Sequence, residues 1–91
     1  MTVKINLFYP HLQQFTNYQE QVEVNGATIG ECLSDLAKRY PGIDKVIFDE
    51  QGKLISYVYV LINGKPHYPT DLSKPVNDGD EISIALLLAG G

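Results

Sequence analysis

The chain has no tryptophan, one cysteine and only seven lysines and arginines against eleven aspartates and glutamates. A lone cysteine, Cys32, can neither close an internal disulfide nor build a thiolate cluster, and it suits a reducing cytosol. A formal charge of -4 leaves no surplus of cations to neutralise phosphates, so nucleic acid is not an expected partner. Long apolar runs are also missing. Ile82 to Gly91 is apolar but far short of the roughly 20 residues of a membrane helix, and the first residues lack the apolar stretch of a signal peptide. These absences predict a cytoplasmic protein without a membrane association. What remains is an ordinary globular composition, 44% apolar over 91 residues, enough for one core and one domain spanning 1–91 with a tail at 87–91.

Val3, Ile5 and Leu7 alternate with Lys4, Asn6 and Phe8, the period of a strand with one face on a core. Tyr9-Pro10 breaks it, and Val22 and Val24 mark a second strand closed by Asn25-Gly26. Thr28 followed by Glu31 is a capping box, and Ile29, Cys32, Leu33, Leu36, Ala37 and Tyr40 form one apolar stripe behind it, ended by Pro41-Gly42. Ile43 to Ser56 reads as a surface excursion with a short turn. Tyr57 to Ile62 is the third strand, and Asn63-Gly64 turns it into a brief return over Lys65 to Tyr68. Asn77-Asp78-Gly79-Asp80 launches the last strand, Glu81 to about Leu86. The order predicts an α+β, β-grasp (ubiquitin-like) pattern: a mixed four- to five-stranded sheet with one main helix on one face, first and last strands central and parallel, and a flexible Gly-Gly tail.

Conventional catalytic sets are missing. His11 and His67 have no metal-ligand spacing, Cys32 sits on the apolar stripe, and Asp78, Asp80 and Glu81 are accounted for by turn chemistry. Ser34, Ser56, Ser73 and Ser83 lie in no nucleophile-elbow context. The end of the chain is different. Leu86-Leu87-Leu88 gives way to Ala89 and then Gly90-Gly91, so side chains shrink stepwise. A double glycine can enter a channel too narrow for any Cβ. An α-carboxyl with a pKa of about 3.3 to 3.7 is ionised at neutral pH and able to attack the α-phosphorus of ATP.

The whole chain resembles the ubiquitin-like sulfur-carrier family (MoaD/ThiS). The matching residues are Ala27-Thr28-Ile29-Gly30-Glu31, Arg39-Tyr40-Pro41-Gly42, Val58-Tyr59-Val60-Leu61-Ile62-Asn63-Gly64 and Asn77-Asp78-Gly79-Asp80-Glu81-Ile82 leading to Ala89-Gly90-Gly91. Leu86-Leu87 stands where many MoaD-like tails carry Pro-Pro. The resemblance implies that an E1-like adenylating enzyme of the MoeB/ThiF type activates the Gly91 carboxylate with ATP. A sulfur donor then replaces AMP, and the resulting thiocarboxylate serves a sulfur-accepting synthase. Gly91 carries the sulfur and Gly90 and Ala89 give clearance. The chain itself is then a cosubstrate with no bound cofactor and no metal, not an enzyme. A small subunit of molybdopterin synthase leads this reading. The alternatives are a cysteine-, homocysteine- or thiamine-pathway carrier, a protein modifier conjugated through Gly91, and a plain binding module whose glycines are incidental.

Strand alternation supplies a docking surface. If Val58, Val60 and Ile62 face the helix, Tyr57, Tyr59 and Leu61 face outward, with Phe8, Leu87 and the adjoining Leu88 on the same side. These residues are the expected partner-binding patch, provided that the 43–56 excursion does not fold over them.

Overall fold

The computed structural model describes residues 2–87; the tail residues Leu88, Ala89, Gly90 and Gly91 lie outside it. Among the described residues are five strands, β1 (Thr2–Leu7), β2 (Gln21–Asn25), β3 (Val58–Ile62), β4 (Lys65–His67) and β5 (Glu81–Leu86), in the order β2-β1-β5-β3-β4. β1 runs parallel to β5, and the other pairs are antiparallel, as expected for first and last strands in the middle of the sheet.

One long helix, α2 (Ile29–Arg39), covers one face. The Thr28 hydroxyl accepts from the Glu31 amide at 3.1 Å, and the Glu31 carboxylate accepts from the Ala27 amide at 2.9 Å. The box therefore closes on the residue before the cap. Removing the hydroxyl with Thr28→Ala orphans a helix-start donor, and a urea titration should show a loss of about 1 kcal/mol with an unchanged slope. Ile29, Cys32, Leu33 and Leu36 are buried against Val3, Ile5, Leu7, Val22, Val24, Val58, Val60, Ile82 and Ile84 in one cluster. Ala37 and Tyr40 are half-buried at its margin. Gly26 is required by space, because a Cβ there would lie 2.7 Å from the Cys32 amide nitrogen and 2.9 Å from its sulfur.

Two segments differ from the sequence reading. The polar stretch after Pro10 folds into a one-turn helix, α1 (Pro10–Gln13), and a 3-10 turn (Gln14–Thr16), which bury Leu12 and Thr16. The 43–56 excursion also contains a short helix, α3 (Asp44–Ile47), and it is not all surface. Ile43 and Ile47 are fully buried in the same cluster as α2, so the segment packs on the helix side of the sheet. Apolar residues four apart on one helical face explain this.

The β3–β4 turn is as read. Asn63 and Gly64 have φ of 50° and 85°, the left-handed pair that a two-residue hairpin needs, and Ile62 pairs with Lys65. β4 is a sheet edge, where Pro66 costs no ladder hydrogen bond.

Candidate functional site

The face opposite α2 is divided in two. Toward β1 and β2 it is polar. Asn6 donates to Glu81 at 3.0 Å and to Ser83 at 3.1 Å, and Gln21 donates to Asn6 at 2.6 Å. Toward β3 and β4 it is apolar. Tyr59 pairs with Ala85, Leu61 pairs with Ser83 and Pro66, and Tyr59 meets Tyr68 edge-on at 5.8 Å. Ile43 and Ile47 of the 43–56 segment pack on the helix side, while Lys53, Leu54, Ile55 and Ser56 line a groove with Tyr68.

Of the residues expected to form a patch, Tyr59 and Leu61 lie on this half by strand pairing. Phe8 is 63% exposed, Tyr57 50% and Leu87 41%, while Tyr59 and Leu61 are half-buried among their neighbours. Phe8 stands just beyond β1, which ends at Leu7, and Tyr57 just before β3. Tyr68 and Pro66 complete the patch and were not singled out from the sequence. Their signal was present, because alternation along 65–68 puts both on the side of Leu61. Leu88, Ala89, Gly90 and Gly91 fall outside the described residues, so the structure shows how the chain reaches them but not their placement. Leu87, the last described residue, donates its amide to the Tyr57 carbonyl at 2.7 Å. The apolar half of the sheet therefore adjoins the exit of the tail.

The titratable residues set aside in the sequence have structural roles. Burial, reinforced by Glu31 and Asp35, pushes the Cys32 thiol up to about 11, so it stays protonated at neutral pH. Asp80 is held below the usual carboxylate range by the Asn77 amide and then by the Asn63 side chain, which also accepts from the Glu81 amide. Asp78 caps the Thr2 amide at 2.7 Å. His11 sits against Gln14 and Phe15. Among the described residues no group of three His, Cys, Asp or Glu gathers closely enough to hold a metal ion, and no helix is long and apolar enough to cross a membrane. A groove between α2 and the turn at 49–52 contains none of the patch residues.

A mixed five-stranded sheet carrying one long helix, with a central last strand that runs into a small-residue tail, defines a ubiquitin-like β-grasp protein, as in the similar solved structures. The ThiS family model matches residues 7–91. The chain belongs to this family of ubiquitin-like sulfur carriers. It is 32% identical over 83 residues to the sulfur carrier protein CysO of Mycobacterium tuberculosis, covering 88% of this chain and 89% of that one. It is 31% identical over 72 residues to small archaeal modifier protein 1 of Haloferax volcanii, covering 78% and 79%. The structure of the BexX/CysO complex of Amycolatopsis orientalis superposes with a TM-score of 0.84 at 30% identity, covering 98% and 99%. A molybdopterin-converting factor complex from Helicobacter pylori matches at 20% identity and a TM-score of 0.62, which is a likeness of fold alone.

Proposed function

We propose that this protein is a sulfur carrier of the CysO kind, loaded at Gly91. A carboxylate oxygen of Gly91 attacks the α-phosphorus of ATP on an E1-like enzyme and expels pyrophosphate. A sulfur nucleophile then attacks the acyl carbon and expels AMP, leaving a thiocarboxylate. The anionic sulfur is a stronger nucleophile than the carboxylate oxygen it replaces, and the narrow tail can deliver it into a partner's water-excluded site. In this scheme the chain supplies no acid or base of its own. The apolar half of the sheet docks the enzymes that load and unload it.

The observation that carries this reading is the family match, which runs through the fold into Ala89-Gly90-Gly91. The choice of branch rests on the 32% identity to CysO, which favours a CysO-like acceptor over the molybdopterin synthase role that led from the sequence. That a CysO relative is seen bound to BexX supports a carrier that docks on a partner. The 31% identity to the archaeal modifier keeps a second reading, in which a lysine amine attacks the same adenylate.

Intact-mass measurement separates the two. Incubation with ATP, an activating enzyme and sulfide should add about 16 Da, the exchange of oxygen for sulfur in a covalent modification of the terminus. Adducts to lysines at the mass of the chain less water, without that 16 Da species, would favour the modifier.

A further inference from the structure

The tail leaves the sheet where one of its two supporting strands has already stopped. Lys4 donates its amide to the Asp80 carbonyl at 3.0 Å, which sets the phase of the parallel ladder. Continued in that phase, the ladder would give the Leu86 amide the carbonyl of Phe8. Pairing stops instead at Leu7 with Ile84, because the chain turns out of the sheet into Pro10 and α1. A part-buried amide at the start of the tail is thus left without a strand partner.

The Tyr9 side chain fills the gap. Its hydroxyl accepts from the Leu86 amide at 3.3 Å across 77 positions of sequence. The arm that carries this hydroxyl is held firmly. Its carbonyl accepts from the amides of Leu12 and Gln13 at 2.9 and 3.0 Å, and its ring packs on the core. On the opposite side the Leu87 amide is held by the Tyr57 carbonyl. The last two described amides before the tail are therefore gripped from both neighbours, one by backbone and one by a phenol.

We propose that Tyr9 is a positioning residue for loading of the tail, acting as a surrogate strand that fixes where and in which direction the chain leaves the sheet. The inference rests on the carrier reading for its consequence, but not for the grip itself. The four residues after Leu87 can reach at most about 14 Å, so the point and direction at which Leu87 leaves the sheet bound where the Gly91 carboxyl can go. If the grip is lost, Leu86 and Leu87 add freedom to a short lever, and fewer docked carriers present the carboxyl correctly.

The test is Tyr9→Phe in the full chain, which keeps the ring and removes only the acceptor. Amide exchange followed by NMR should be faster at Leu86 by about tenfold or more, with Ile84 and Val60 unchanged. ATP–pyrophosphate exchange with the activating enzyme should lose roughly three- to tenfold in kcat, the scale of one hydrogen bond, at an unchanged KM for the carrier. A variant that merely folds less well would show the reverse, a raised apparent KM with kcat retained, and that outcome overturns the proposal. Unchanged exchange at Leu86 overturns the grip. Faster exchange with full kcat overturns the positioning role. Failure of the wild-type chain to support pyrophosphate exchange at all would sink the carrier reading, while the Leu86 measurement would still decide the grip.

Discussion

Deleting Gly90 and Gly91 leaves a folded protein that gains no sulfur. Two residues shorten the reach by roughly 7 Å. A misplacement of 1 Å can already cost on the order of 100-fold in a positioned reaction, so the expected loss exceeds that by a wide margin. The measurement is intact mass after incubation with ATP, activating enzyme and sulfide, beside a thermal melt that should match wild type. Adding one tryptophan after Gly91 should be equally complete, since it replaces the reacting carboxyl with a peptide and puts a large side chain where the proposal needs none. If either variant still gained sulfur, the reactive group would have to be sought elsewhere.

Charging the sheet face should come next in size. Tyr59→Asp places a carboxylate beside Tyr68 and Ala85, in the middle of the apolar half. A central aromatic anchor of an interface is worth 2 kcal/mol or more, so the KM for loading should rise by about 30-fold. Tyr59 points away from the core that Val58 and Val60 enter, and the domain should stay folded, with circular dichroism as the check. Loading of this variant at the wild-type KM would remove the face from the account and leave the tail as the sole recognition element.

Legibility in the sequence followed the range of the physics. The Thr28–Glu31 box, the Asn63-Gly64 turn and the Asn77–Asp80 turn were readable because each is complete within a few residues. The parallel pairing of β1 with β5 was readable because topology rules leave few ways to place a helix between hairpins. The 10–16 stretch was not, since Leu12 is the only strongly apolar residue of a one-turn helix and its burial is decided by the core it meets. Ile43 and Ile47 did carry a helical spacing, masked by Asp49, Glu50, Gln51 and Gly52 in the same segment. Along β3 the alternation is matched by burial, with Val58 and Val60 buried and Tyr59 and Leu61 half-exposed in alternation with them. No local pattern links Tyr9 to Leu86, because that bond exists only once the two ends of the chain have met.

Of the five described strands, the one that lies third across the sheet is the last to be synthesised. Without residues 81–86 the molecule reduces to two separate hairpins, β1 with β2 and β3 with β4, and an isolated hairpin is marginal in water. A chain truncated before β5 lacks the strand that joins the two hairpins and is expected to be open to proteases. Only a polypeptide translated through its central strand survives as a folded domain, so the fold acts as a check on the integrity of almost everything that precedes the glycines.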